Sequence, residues 1–437
     1  MSKIFLLIMP LCAALCSMSS YAQHSYPMTL EELYRIADER SRAIRVEEAA
    51  VEEAEADLRE VRAGRLPDIN LSLSASYLGD GCLTDRDFGG GQHIPMPHFG
   101  NNFVVEATQL IYGGGAVTQA IALSRLKSEM AGVNLAATRS RVRLMLTGFF
   151  LEMCKLKNLL LVYDHNIALA QEVIDDTKER IRQGIALQND LTRYELQLKN
   201  VELARTRTEY ALNILNYDLV TMLDLEPGTT LEPDRAFLDE VLPTSLPEEL
   251  QREADNASFA LQRSALQVQM SERAERMARA DRLPKVSLIA ANHFDGPITI
   301  EVPVINKNFN YWFVGVGLSF PLSSLYKAGR SVKRAELTTA LNRRRLEEAR
   351  EEVHRAVYAD FLHYREAYDE VETLEKQVEL ACQNYEVIKT RYDHDIVLVT
   401  DMLDAASRRL EAELELANAR IQTHFLYRKL QHTIGKL

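Results

Sequence analysis

Apolar positions recur with two different periods along the chain. Val142, Phe149, Leu156, Tyr163 and Ala170 lie seven apart, and Leu146, Met153, Leu160, Ile167, Ile174 and Ile181 form a second row four residues on. At an offset of 211 residues the rows recur as Val353, Asp360, Ala367, Leu374 and Ala381, and as Val357, Tyr364, Val371, Val378, Tyr385 and Tyr392. Only Asp360 breaks the pattern. A sustained seven-residue repeat is a coiled-coil seam and imposes a left-handed supercoil. The stretch from about 117 to 182 predicts one helix of ~65 residues, a rod of about 100 Å.

The second period is two. Ile69 to Tyr77 alternates apolar with small polar residues, and Val314 to Phe320 does the same; Phe103 to Gln109 and Val286 to Phe294 alternate more weakly. These predict strands at about 68–77, 102–111, 286–294 and 312–320. Apolar-out, polar-in alternation is what a lipid-embedded barrel requires, although a half-buried soluble sheet alternates too. Tyr77, Phe103, Trp312 and Phe313 are expected at strand ends, as interface aromatics. Four strands are too few to close a barrel, which starts at about eight, and open edges are not tolerated in lipid. If the strands span a membrane, several chains share one barrel: three give twelve strands and two give eight.

The chain is written twice. Lys178 to Leu191 matches Lys389 to Met402 at the offset of 211, while Arg65-Leu66-Pro67 matches Arg282-Leu283-Pro284 at 217. The repeats are 23–225 and 245–437, joined by a Pro/Gly/acid linker at 226–244. Each copy opens on a capping-box signal, Thr29-x-x-Glu32 and Ser245-x-x-Glu248, and its first helix is expected to run unbroken to the Leu-Pro pair. Ahead of the first copy, residues 1–22 read as a secretory signal: Lys3, an apolar run Ile4 to Cys16, and Ser20-Tyr21-Ala22 as cleavage site. Lipidation at Cys16 is the alternative, opposed by the bulky Leu15. No later stretch reaches 18 consecutive apolar residues, so no transmembrane helix is expected.

Charge narrows the function. Lys plus Arg is 51 against 63 Asp plus Glu, a net charge of −12, which argues against nucleic acid as partner. With 19 Gly and 13 Pro in 437 residues the chain is neither disordered nor collagen-like. Cys82, Cys154 and Cys382 are scattered and read as free thiols. No catalytic triad, CxxC or HExxH occurs, so no enzyme is expected. His93, Met96 and His98 in loop 79–101 are soft-metal types, but a mobile extracellular loop accounts for them. Gly113-Gly114-Gly115 lacks the Lys-Ser/Thr of a phosphate loop and reads as a turn.

Specific residues carry a family resemblance. Thr108-Gln109-Leu110-Ile111-Tyr112-Gly113-Gly114 and Leu318-Ser319-Phe320-Pro321-Leu322 resemble the two strand-to-helix signatures of the TolC family of outer-membrane efflux channels. The turns at Gly184 to Asp190 and at Asp401-x-x-Asp404 resemble its periplasmic helix turns. The resemblance implies a mainly helical protomer with four strands. It implies a homotrimer with a twelve-stranded outer-membrane barrel continued by a periplasmic α-helical tunnel. It also implies a passive exit duct of a tripartite efflux or type I secretion system, with no cofactor. The implied partners are a periplasmic adaptor and an inner-membrane transporter of RND or ABC type. By the same resemblance Asp401 and Asp404 line the pore constriction, Asp190 and Tyr392 tie the aperture, and Gly184 and Asp395 mark the adaptor-facing tips. The ordinary reading of Asp401 is a helix N-cap, with Asp404 in the first turn favouring the dipole. Tyr392 reads equally as a heptad core residue. The sequence departs from the family at Asp395, which stands where copy one has Gly184, and at Val397, where the best-known member has an aperture arginine. The alternative to a channel is a coiled-coil structural or adhesive envelope protein.

Overall fold

A computed structural model of the chain describes residues 25–437 except 185, 186, 241, 244, 302 and 395. The signal expected over 1–22 and the tip residue Asp395 therefore lie outside the described residues. Copy one contributes β1 (Ser25–Met28), α1 (Leu30–Arg40), α2 (Arg42–Ala63), β2 (Asp68–Tyr77), β3 (Gly81–Leu83), β4 (Gln92–Ile94), β5 (Phe99–Tyr112), α3 (Ala116–Arg182) and α4 (Gln188–Met222). After β6 (Thr230–Pro233), copy two contributes α5 (Pro247–Ala257), α6 (Phe259–Ala280), β7 (Lys285–Gly296), β8 (Phe309–Ser319), α7 (Ser324–Asp393) and α8 (Val399–Ile434).

The opening helix of each copy is broken, contrary to expectation. Ser41 leaves helical geometry at φ −59°, ψ 123°, and Ser258 does so at φ −59°, ψ 122°. Each serine N–H donates to the carbonyl four residues back, on Ala37 or Ala254, at 2.9 Å. Both alanines are wholly buried. Thr29 forms the full capping box with Glu32, each side chain meeting the other's N–H at 3.2 Å. Ser245 does not. α5 starts at Pro247 with Leu246 as its N-cap; proline is preset for the first helical position and brings no N–H in need of a cap.

The heptad rows face inward. Val142, Leu146, Met153 and Ile174 in copy one, and Val353, Val357, Tyr364, Ala367 and Leu374 in copy two, are buried. Asp360 is buried too, and the structure shows how: Lys429 Nζ lies 2.8 Å from one carboxylate oxygen and the Thr433 hydroxyl donates to the other at 2.6 Å. The residue that breaks the apolar row is satisfied by two partners on α8.

Packing divides the chain into two compact units that cut across the copies. One unit takes residues up to Glu47, Leu135–Phe259 and Glu352–Leu437; the other takes Glu48–Asn134 and Ala260–Glu351. The first centres on Met28, Leu33, Ile44, Leu146, Phe150, Met153, Leu219, Leu223, Leu231 and Ile421. There β1 pairs in parallel with β6, and Lys157 ion-pairs with Glu232. The second unit holds an antiparallel sheet ordered β2-β5-β7-β8, so its central pair, β5 with β7, joins the two copies. Asp68 faces Thr108, Tyr112 faces Val286, and Lys285 faces Ser319. This register gathers the ends of α2 and α6 and the starts of α3 and α7 at one edge of the sheet. Gly114 makes that junction possible. It sits at φ +64°, and a Cβ there would stand 2.9 Å from the Ala280 carbonyl oxygen.

Candidate functional site

The helices that follow the two turns start alike. Two residues past the end of α3, Gly184 takes φ +76° and donates its N–H to the Ile181 carbonyl at 3.0 Å; a Cβ there would meet nothing. α4 then begins with Leu187 as N-cap, and Asp190, at the third helical position, accepts the Leu187 N–H at 3.4 Å. At the offset of 211, Leu398 is the N-cap of α8 and Asp401 accepts its N–H at 3.2 Å. Leucine has no acceptor for the opposing half of a capping box, so each aspartate caps alone. Asp190 and Asp401 thus occupy one and the same position in the two copies. Neither is itself the N-cap residue.

The copies diverge one turn on. Asp404 is exposed and receives a hydrogen bond from Arg408 Nε at 2.8 Å, whereas copy one has Arg193 there. Asp404 therefore carries its own counter-charge within the helix. Tyr392 is half-buried in the last turn of α7. Among the described residues no hydrogen bond joins it to Asp190, whose carboxylate is occupied with its cap. Tyr194, one turn beyond Asp190, has its hydroxyl pKa raised by partial burial and then by the Asp190 charge.

Sequence patterning did not reveal a groove of about 480 Å³ lined by Leu161, His165, Leu169, Tyr385, Leu410 and Glu413. At its wall the Arg409 guanidinium lies 5.0 Å from the centre of the Tyr385 ring and bonds Glu413 at 2.9 Å. Its residues come from three helices distant in sequence, so no local spacing marks it.

The sheet presents a different chemistry. Residues paired across the strands share a face. One face carries Ile69, Leu71, Leu73, Phe103, Val105, Trp312, Val314, Val316 and Leu318. The three side chains of this face on β2, Ile69, Leu71 and Leu73, and the three from Val314 to Leu318 on β8 are 61–71% exposed. The opposite face carries Asn70, Ser72, Ser74, Glu106 and His293. Phe313 also lies on that polar face, stacked with His293 at 6.1 Å, so it is not an outward partner of Trp312. Nor is Trp312 at a strand end; it is inside β8 opposite Asn292. β2 and β8 each leave one edge unpaired within the chain. No described helix is long and apolar enough to cross a membrane.

The loop between β2 and β5 uses its metal-type residues elsewhere. His98 Nδ1 bonds the Leu78 carbonyl at 3.0 Å, Met96 donates its N–H to Asp80 at 3.0 Å, and His93 lies 3.5 Å from the same carboxylate. Among the described residues no group of three or more His, Cys, Asp or Glu side chains is placed to hold a metal. Cys82, Cys154 and Cys382 are free.

A duplicated helical hairpin fused to an amphipathic sheet defines a class of envelope protein. The model of the outer membrane efflux protein family matches residues 33–223 and again 250–436, and the chain belongs to that family. It is 22% identical over 279 residues to outer membrane protein TolC of Salmonella enteritidis. That alignment takes in 60% of this chain and 55%, about half, of the relative. Its fold is similar to that of VceC from Vibrio cholerae, with a TM-score of 0.74 at 14% identity, covering 93% of this chain and 96% of that one. The CmeC channel of Campylobacter jejuni gives 0.74 at 13% identity over 93% and 85%.

Proposed function

We propose that the protein is the outer-membrane exit duct of an efflux or type I secretion system, passively conducting what an inner-membrane transporter delivers through a periplasmic adaptor. The sheet carries this reading. Four strands that are apolar on one face, polar on the other and unpaired at both edges are not a finished soluble structure, because unpaired edges recruit further strands. Lipid against the apolar face and other copies at the edges complete it. Three copies give a twelve-stranded barrel with a polar lumen, in the range of known outer-membrane barrels, and the helices continue it as a tunnel.

In this reading Asp401 and Asp404 of three chains ring the pore constriction and favour cations, with Arg408 setting how much of that charge is free. Asp190 and Tyr392 restrain the aperture, and the turns around Gly184 and Asp395 meet the adaptor. The test is conductance in planar bilayers alongside mass measurement in detergent. The expected result is a trimer whose cation selectivity falls in the Asp401→Ala, Asp404→Ala double variant. A stable detergent-solubilised monomer overturns the duct; a trimer with unchanged selectivity overturns only the constriction. Cysteines at Gln183 or His394 are expected to crosslink to the adaptor, and cysteines in loop 79–101 are not.

A further inference from the structure

The edge of the sheet where the helices begin and end carries an excess of positive charge. Arg65 follows α2, Arg282 lies between α6 and β7, and Lys327, Arg330 and Arg334 occupy the opening turns of α7; all five are exposed. None is ion-paired among the described residues. By contrast, their neighbours Arg279 and Lys333 both bind Glu336, at 3.2 and 3.7 Å. Arg282 reaches across to α7, where a Cβ on Gly329 would lie 3.4 Å from its guanidinium nitrogen. Asp68 and Asp281 are the carboxylates next to them in sequence.

Three features single this cluster out. The chain as a whole is acidic, at −12, so the cations are concentrated against the average. The positive end of a helix dipole favours acids, yet α7 has no acidic residue in its first turn and carries four cations from its fourth to its eleventh residue, of which Lys333 is paired with Glu336. Finally, the cations stand next in sequence to exposed apolar side chains, Leu66 beside Arg65 and Tyr326 beside Lys327, at 67% and 71%, with Leu322 at 67% just past β8. An apolar band bordered by unpaired Arg and Lys matches a membrane interface, where long cationic side chains lay their stems along hydrocarbon and their heads among phosphates. The opposite edge, toward the 78–98 and 297–308 loops, carries Arg86 and Lys307 against Asp80, Asp85, Asp87, Asp295 and Glu301.

We propose that this edge binds the headgroups of anionic phospholipids in the periplasmic leaflet and thereby fixes the depth and orientation of the barrel. The inference rests on the outer-membrane reading above. Its test is lipid retention by the full chain, refolded into mixed micelles and stripped stepwise before native mass spectrometry. Phosphatidylglycerol, phosphatidylcholine and inorganic phosphate are supplied in separate arms. The expected result is at least fivefold preferential retention of phosphatidylglycerol over phosphatidylcholine. The preference is lost in the Arg282→Gln, Lys327→Gln, Arg330→Gln, Arg334→Gln variant and kept in the Arg282→Lys, Arg330→Lys, Arg334→Lys variant. Equal retention of the two lipids by the unaltered protein overturns the proposal. So does a folded Gln variant that keeps its preference, or displacement of phosphatidylglycerol by millimolar phosphate, which assigns the cluster to a free anion. If the Gln variant does not fold, the unaltered protein and the Lys variant decide. Failure of the unaltered chain to enter any bilayer breaks the outer-membrane reading itself, whereas insertion without lipid preference breaks only this inference.

Discussion

The two copies return to their opening helices through the same corner, made from different residues. In copy two, α8 ends at Gly435 with φ +95°, and a Cβ there would stand 2.3 Å from the Ala257 carbonyl oxygen and 3.1 Å from Ser258 Cα. The helix end is pressed onto the break between α5 and α6. In copy one the residue 211 earlier is Asp224, also left-handed at φ +50°. Its backbone carbonyl accepts from Arg40 and its carboxylate from Arg42, both at 3.4 Å, beside the break at Ser41. One copy holds the corner by contact that only glycine allows; the other spaces it with a side chain and charges. The same divergence recurs in the helices, where Phe149 of copy one stands at the position of Asp360 in copy two. Duplication preserved the backbone path and left each copy to stabilise it by separate means.

The sharpest test of that contrast is Gly435→Val. It combines a forbidden φ with a backbone clash and is expected to cost about 3–5 kcal/mol, at the exceptional end for single substitutions. Asp224→Gly is expected to change stability by less than about 1 kcal/mol, since glycine relieves the left-handed strain and keeps the carbonyl that Arg40 bonds, while the one exposed ion contact with Arg42 is lost. Thermal or urea unfolding followed by circular dichroism measures both; equal effects erase the difference between the corners.

Next in size, Asp360→Ala leaves Lys429 and Thr433 without their shared acceptor and is expected to cost about 1–3 kcal/mol. The double variant Asp360→Leu, Lys429→Leu restores an apolar row and is expected to be neutral or stabilising. If the double variant is as unstable as the single one, the polar seam contributes more than a satisfied pair.

Asp190→Ala and Asp401→Ala remove the same cap from equivalent helices. Each is expected to cost about 0.5–2 kcal/mol, read as lost protection from hydrogen exchange in the first turns of α4 and α8. A much larger loss in one copy alone would show that its aspartate has a partner beyond the helix.

The smallest effect concerns His432, whose Nδ1 lies 2.6 Å from the Ser140 hydroxyl. Burial lowers its pKa from 6.5, with Asp360 pulling upward and Arg141 adding to the lowering. A depressed value in the folded state means that the unfolded state binds the proton more readily. This contribution to stability is therefore present above pH 6.5 and lost as pH falls below it. His432→Gln is expected to flatten the pH dependence of unfolding in that window, and an unchanged slope assigns the dependence to other groups.

The fold class was legible because two periodicities and an internal repeat agree with one another. A seven-residue row can only be the seam of a long helix, and a two-residue row only a strand. The helix breaks were not legible. Ser41 and Ser258 are ordinary residues, and the break comes four residues after the wholly buried Ala37 and Ala254 with no proline or glycine at it. Asp360 looked like a fault in the pattern because its partners lie about 70 residues away on another helix. At the turns, the helix-capping reading of Asp401 came from spacing alone, but the spacing set the cap one turn too late. Leu398, with no polar group to offer, holds the N-cap position.

Both compact units are assembled from segments far apart in sequence, and the central strand pair of the sheet joins residues nearly 200 positions apart, as between Asn101 and Gly296. Folding therefore cannot proceed copy by copy. While the chain is being delivered, β5 waits for β7, and the first core, which includes Ile421 on α8, stays incomplete until nearly the last residues arrive. Long-range closure of this kind slows folding and leaves apolar strands uncovered in the interval, when such segments are most prone to aggregate. A chain truncated before α8 is expected to need a chaperone's protection from its first copy onward.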